Sequence, residues 1–281
     1  MSEREIGINL VIVGDLAYDQ TITSTESRKV IAGAVYNVAI AASTVSEEGS
    51  VGVVARVGDD FADGIDALSR RGIDTEGIAV VQGRETAIFT ITQHEDNTRK
   101  LSANLGVAAE VDTSIFPESY KQVRHVHLAS SHPSKYLQWI PQLRSTLPSE
   151  TTISADGNDF FIDEVEPMKE ALDAVDLIFI NEAELAAIKS TYPDYELPKP
   201  TILKKGKEGA TYIDMQEGIE YTVSAPTVDV VDTSGAGDSL AGVYLAKRLQ
   251  GASIQDSLQS GVTIASKAVT DFGVEHLNPL S

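Results

Sequence analysis

The chain has 281 residues, 42% hydrophobic and 6% aromatic, which excludes a disordered chain and is enough apolar surface for one large α/β core. With 42 acidic residues against 22 basic, its formal net charge of −20 repels nucleic acid and anionic lipid, so neither is an expected partner. It has no cysteine, hence no disulfide, thiol nucleophile or cysteine-ligated metal; no apolar run approaches the ~20 residues of a membrane span, and the polar start Met1–Glu5 does not read as a signal peptide, so a cytoplasmic location is expected.

Ile8 to Val13 is an apolar run stopped by Gly14-Asp15, the pattern of a buried central strand. Tyr18 to Thr25 alternates like an exposed strand and carries Asp19. Ala32-Gly33-Ala34-Val35-Tyr36-Asn37-Val38-Ala39 opens a small-residue helix running to about Val45, whose start can approach a ligand or a strand closely. On its own, Asn37 reads as satisfying a buried backbone group. Val51 to Val57 is a strand; Asp60 is the expected N-cap of a helix from Phe61 to Arg71, and Gly72 the residue that ends it. Between Ile78 and Leu105, Thr86 to Gln93 alternates, His94-Glu95-Asp96-Asn97 makes a polar turn, and Arg99 to Leu105 returns. That is a hairpin, and with Tyr18 to Thr25 it forms a small sheet outside the main one.

From His125 to Leu203 the chain alternates regularly. Strands are expected at His125–Ala129, Thr152–Ala155, Asp176–Ile180 and Thr201–Lys204, and helices at Tyr136–Leu147, Asp163–Ala174 and Glu182–Ser190. Such alternation predicts a parallel sheet with helices on both faces, and ligands beyond the carboxyl ends of its strands, where Asp15, Asp156 and Asn181 fall. His125, His127 and His132 have no obvious carboxylate partners and read as structural; Trp139 reads as packing. Lys204-Lys205-Gly206-Lys207-Glu208-Gly209 is the densest positive cluster in an acidic chain, followed by a strand from Ala210 to Met215.

The remainder is organised around the stretch Val230 to Leu240, read as an apolar strand end, a small-residue turn and a helix from Ser239 to Leu249. Backbone N–H groups at a helix N-terminus form an anion site, and Asp238 places a carboxylate at its mouth. Like charges repel, so simple anion holding does not explain Asp238. A general base does: it takes a proton from a hydroxyl while the N–H groups stabilise charge on a transferring group, which suits phosphoryl transfer. A last helix, Ile254 to Thr270, carries Leu258, Val262, Ala265 and Val269 on one face and ends at Asp271-Phe272-Gly273.

The full string Asp232-Thr233-Ser234-Gly235-Ala236-Gly237-Asp238 resembles the C-terminal signature of the ribokinase-like carbohydrate kinases, the PfkB family. Gly33 and Asn37 are similar to its N-terminal signature, Gly14 to Asp19 to its G-x-x-x-x-D pattern, Asn181-Glu182-Ala183-Glu184 to its N-x-x-E motif, and Gly206 and Gly209 to its nucleotide loop, so the likeness covers essentially the whole chain. It implies an α/β, three-layer α/β/α fold with a mostly parallel central sheet and a small β lid, one domain over residues 1–281 with lid strands at about 16–25 and 84–105. It implies an ATP-dependent kinase for a hydroxyl of a small sugar, with Asp238 as base and Gly235, Ala236 and Gly237 as the anion hole. Asp19, Gly33, Asn37 and Asp15 would hold the acceptor, helped from the lid by Ser102 and Asn104. The nucleotide would lie along Asn181, Lys205, Gly206, Gly209, Thr233, Ala265 and Gly273, with Asp232 beside the phosphates, and Glu184 would hold Mg²⁺ through water. Lids of this kind often pair across a dimer, so a homodimer is expected.

The chain departs from the family pattern at three places. Ala32 stands where a first glycine is usual, Phe160 where sugar-acid members often have Arg, which disfavours a sugar acid, and lysines replace the Thr-Leu of the nucleotide loop. Those lysines either attract ATP or only offset the surrounding acid. Two other readings stand beside a sugar kinase: a nucleoside kinase of the same fold, and a non-catalytic sugar or nucleotide sensor, against which the intact Asp238 and Glu184 argue.

Overall fold

The computed structural model describes residues 7–23, 27–93, 99–158 and 161–278. The chain begins with β1 (Leu10–Val13), four buried aliphatic residues. It leaves for an antiparallel pair, β2 (Ala17–Ile22) and β3 (Ser27–Ala32), and returns through α1 (Ala34–Ser43) to β4 (Val51–Gly58), α2 (Ala62–Arg70) and β5 (Asp74–Val81). A hairpin of β6 (Ala87–Gln93) and β7 (Arg99–Asn104) departs again. Then come β8 (His125–Leu128), α3 (Pro133–Thr146), β9 (Thr152–Asp156), α4 (Val165–Asp173), β10 (Leu177–Asn181), α5 (Glu182–Thr191) and β11 (Thr201–Lys204). An antiparallel meander of β12 (Ala210–Asp214) and β13 (Ile219–Val223) precedes α6 (Ala236–Leu249) and α7 (Ile254–Ala268).

Nine strands form one sheet in the order β13-β12-β11-β10-β9-β8-β1-β4-β5, parallel from β11 to β5. Helices α1, α2, α6 and α7 pack a core against one face, and α3, α4 and α5 a second core against the other. The chain steps outward from β1 to β4 and later resumes at β8 on β1's other side. The crevice beyond the carboxyl ends of β1 and β8 is therefore the topological switch point, where ligands of open α/β sheets sit. The other four strands form a separate sheet in the order β3-β2-β6-β7.

Helix α6 is buried at every position from Ser239 to Ala246, as expected of a helix enclosed on all sides. Gly242 makes its approach to α1 possible, because a Cβ there would lie 2.2 Å from the carbonyl oxygen of Val38. The small residues of α1 thus have a packing purpose: they bring two helices, far apart in the chain, close enough for their N-terminal turns to face one another.

The structure corrects several expectations. The strand after Gly14 ends at Ile22; its partner β3 lacks strand alternation, and β13, which alternates as Ile219-Glu220-Tyr221-Thr222-Val223, adds a meander strand to those expected. Val230 and Val231 are not a strand end; they are 60% and 50% exposed, and the segment is held instead by Val231 and Asp232 N–H donating to the Val269 carbonyl at 2.7 and 3.2 Å. Helix α6 starts at Ala236, three residues before the expected Ser239. Asp60 does not cap α2; its Oδ1 accepts from the Thr86 N–H and hydroxyl at 3.0 and 2.6 Å, tying the lid strand's start to the main sheet. His132 does have a carboxylate partner, Glu164, with Nε2 3.0 Å from Oε1. The turn at 94–97 and Phe160 lie outside the described residues.

Candidate active site

The crevice is built from the first turns of α1 and α6 and the ends of β1, β2, β9, β10 and β11. Gly235, at φ +73°, is the N-cap of α6, and a side chain there would be strained by that backbone and would meet the Asn37 amide at 2.7 Å. The α6 N–H groups of the first turn have no carbonyl four residues back; that of Ala236 reaches Thr233 O at 3.4 Å. Asp238 stands on this turn, and Asn37 Nδ2 donates to its Oδ2 at 2.9 Å across 201 residues of sequence. Burial, then the charge of Asp156, pushes the Asp238 carboxyl up to about 6; the bond from Asn37 and the ammonium of Lys204 oppose this, and Asp19 adds to it.

Asp19, on β2 opposite Val30 and Phe89, is likewise pushed up to about 6, by burial and by the charge of Asp232. Asp232 itself caps the turn before α6, its Oδ1 accepting from Ser234 N–H at 3.0 Å. Gly33 is the N-cap of α1, against the backbone of Asp15 and Ala17. Asp15 lies at the same switch point, but its carboxylate is engaged by Lys135 Nζ at 3.0 Å and the Ser131 hydroxyl at 3.1 Å. Asn104, at the end of β7, is exposed and occupied locally: its Oδ1 accepts from Gly106 N–H at 3.1 Å and its Nδ2 donates to Glu85 at 3.4 Å. Ser102 is exposed on the same strand.

On the other side of the crevice, Asn181 and Glu184 form a capping box at the start of α5. Asn181 Oδ1 accepts from Glu184 N–H at 2.9 Å, and Glu184 Oε2 accepts from Asn181 N–H at 2.8 Å. The box holds a carboxylate that is only 4% exposed, packed against Gly157, where a Cβ would fall 2.1 Å from Oε2. Beyond it, Lys205 N–H donates to Gly209 O at 2.9 Å and closes a tight turn through Gly206 between β11 and β12. Thr233 is exposed at the crevice rim, Ala265 is half-buried on α7, and Gly273 follows that helix with open space around its Cα. Phe272, 50% exposed, carries the Arg28 guanidinium of β3 over its ring at 4.4 Å, so the second sheet reaches the end of α7.

Lys205 is the lysine that the family resemblance placed on the nucleotide, with Lys204 only part of the surrounding positive cluster. It is Lys204, last residue of β11 and in register with Asn181, that enters the crevice, bonding through Nζ to Asp156 Oδ1. The signal was a lysine at a strand's carboxyl end, and only the strand pairing shows what lies beside it. His125 and His127 do not face the crevice chemistry. His125 is hydrogen-bonded to Thr152 and Ser154, His127 to Ser154, and burial lowers both, His125 to about 4. Trp139 is fully buried and donates to Val111 O at 3.2 Å.

No group of three or more metal-ligating side chains occurs among the described residues. A Mg²⁺ ion that keeps several waters and takes one carboxylate plus phosphate oxygens would have Glu184, at the start of α5, as its protein donor. No helix among the described residues is long and apolar enough to cross a membrane.

The family model described as pfkB family carbohydrate kinase matches residues 8–280. A cytidine kinase of Thermococcus kodakarensis is 23% identical over 279 residues, covering 95% of this chain and 98% of the relative. An ATP-dependent ribose-1-phosphate kinase of Halopiger xanaduensis is 29% identical over 228 residues, 78% of this chain and 74% of the relative. Among solved structures, the nucleoside kinase of Methanocaldococcus jannaschii, an archaeal member of the ribokinase family, superposes with a TM-score of 0.80 at 18% identity, covering 97% of this chain and 95% of that one.

Proposed function

The chain belongs to the pfkB family of carbohydrate kinases, and from that premise we propose that it moves the terminal phosphoryl of ATP to a hydroxyl of a neutral sugar or nucleoside, with Asp238 as the general base. The observation that carries the assignment is the Asn37–Asp238 bond at 2.9 Å, which fixes a carboxylate pushed up to about 6 on the first turn of α6. A base is most effective when its pKa lies near working pH, and this one is tuned upward by burial. Asn37 holds one oxygen; the other accepts the proton of the acceptor hydroxyl. The oxygen so freed bonds to the γ-phosphorus, the bond from that phosphorus to the β-phosphate oxygen breaks, and ADP leaves. The amides of Gly235, Ala236 and Gly237 stabilise charge on the moving group. Glu184 would hold Mg²⁺, which would supply positive charge to the phosphates when bound.

Asp19, Gly33 and Asn37 orient the acceptor. Asp19 and Asp232 repel one another across the crevice, and Lys135 is already bonded to Asp15, an arrangement that favours an uncharged polyol over an anionic sugar. Lys205, Gly206, Gly209, Ala265 and Gly273 line the nucleotide, and the four-stranded sheet is the acceptor's lid and the surface of a homodimer. ATP as the phosphoryl donor fits a cytoplasmic location. The nucleoside reading is kept because the cytidine kinase relative covers 95% of the chain.

ADP release from ATP, measured against ribose, fructose, cytidine, other nucleosides and ribose 1-phosphate, tests the assignment. A neutral acceptor is expected to give the highest kcat/KM. No release above the acceptor-free rate with any of them refutes the kinase reading, and preference for ribose 1-phosphate refutes the neutral-acceptor clause. A monomer by sedimentation at micromolar concentration removes the dimer.

A further inference from the structure

We propose that Lys204 is a catalytic residue: its ammonium contacts the terminal phosphoryl of ATP at the first turn of α6, while Asp156, at the end of β9 two strands away, holds it in place. This rests on the kinase reading above. Strands β9, β10 and β11 end side by side and deliver Asp156, Asn181 and Lys204 to one edge of the crevice. Lys204 Nζ donates to Asp156 Oδ1, and the pair is enclosed, with side-chain exposures of 15% and 1%. The lysine lies along α6 as well: a Cβ on Gly237 would fall 3.2 Å from its Nζ and 3.3 Å from its Cδ. Gly237 is therefore the residue that leaves room for this side chain beside the amides.

Charge compensation alone does not account for that position. A lysine serving only to neutralise Asp156 has no need to lie against the helix turn. Burial disfavours its charge, yet Asp156, Glu184 and Asp238 together hold it protonated, so it presents a permanent cation beside the N–H groups. An anion seated on those N–H groups comes within charge-assisted hydrogen-bond reach of the ammonium. In the transfer step Lys204 keeps its proton; it balances the charge that builds on the γ-phosphoryl oxygens as the bond to ADP breaks and the bond to the acceptor forms. It also supplies, inside the crevice of a chain of net charge −20, the local positive field that a nucleotide needs.

The test uses the full chain as Lys204→Met, Lys204→Arg, Asp156→Asn and the double variant Lys204→Met/Asp156→Asn, with calorimetric titration of ATP and ADP and turnover on the best acceptor. The double variant guards against a fold failure, since removing Lys204 alone strands a buried carboxylate. Loss of a charged hydrogen bond predicts ATP binding weakened about 10–100-fold in both Lys204→Met proteins, with ADP binding changed less than about threefold and partial rescue by Lys204→Arg. A double variant that binds and turns over ATP as well as Asp156→Asn alone overturns the proposal and leaves Lys204 a counter-ion. Equal weakening for ATP and ADP also overturns it. Wild-type protein that neither binds nor consumes ATP fails the kinase reading itself, a result distinct from either of these.

Discussion

Replacing Asp238 with Asn separates its chemistry from its place in the fold, because the two effects have opposite signs. Asn has the same shape and its Oδ1 can still accept from Asn37 Nδ2, but it cannot take a proton. Turnover at saturating ATP and acceptor should fall by ~10²–10⁴-fold, the usual contribution of a positioned base. Stability should rise. The carboxyl holds its proton to about 6 in the folded chain against 3.8 ordinarily, so the folded state binds that proton more tightly than the unfolded one. Its contribution is thus fully present below 3.8 and lost as pH rises through about 6, so at pH 8 the ionised form is a net cost to the fold. At about 1.4 kcal/mol per tenfold change in proton affinity the bare difference is roughly 3 kcal/mol. Asp238 is partly open to the crevice, and solvent screening reduces this to about 1 kcal/mol. For a chain of this size that is a rise in melting temperature of ~2–4 °C at pH 8, shrinking toward zero at pH 4. Thermal melts at both pH values and an ADP-release assay read the two effects. Turnover within tenfold of wild type would show that Asp238 is not the base, and a lower melting temperature at pH 8 would show that its charge is not strained in the fold.

The remaining predictions concern the groups around it. Wild-type kcat/KM should fall tenfold per pH unit below about 6, as Asp238 protonates; a flat profile from pH 7 to pH 5 contradicts the base assignment. Gly235→Ala forces a Cβ into a left-handed backbone 2.7 Å from the Asn37 amide, and should cost ~1–3 kcal/mol in denaturant titration while lowering turnover through the displaced Asn37. Gly242→Ala, outside the crevice, pushes α6 off the Val38 carbonyl of α1; it should cost ~1–3 kcal/mol and lower kcat with little change in KM for ATP. Glu184→Gln should raise the Mg²⁺ concentration for half-maximal activity by ~10–100-fold. His125 is buried neutral, lowered to about 4 from 6.5, so its contribution is present above pH 6.5 and lost as pH falls through about 4; His125→Asn should flatten acid unfolding across that window.

Several features were legible in the residue order because each is decided locally. The apolar run before Gly14, the β/α alternation after His125 and the turn before α6 are set by side chains within a few residues of one another, and periodicity reports such neighbours directly. The Gly-Ala-Gly-Asp turn placed a carboxylate beside helix N–H groups for the same reason. What the chain order withheld is which ends stand together. Val230 and Val231 look like a strand until α7 supplies the Val269 carbonyl that holds them outside the sheet. Asp60 looks like a helix cap until the lid strand brings Thr86 to it. Lys204 and Lys205 are equivalent as a charged pair, and the pairing of β11 with β10 decides that the first meets Asp156, 48 residues earlier. Asp15 meets Lys135 across 120 residues, an ion pair that no short window around Gly14 shows. Local sequence therefore set most of the elements and the residue types at their ends. The sheet order, and a helix contact made possible by one missing Cβ at Gly242, decided which of those ends share a crevice, because hydrogen-bonded strand order and close packing depend on residues no window of sequence contains.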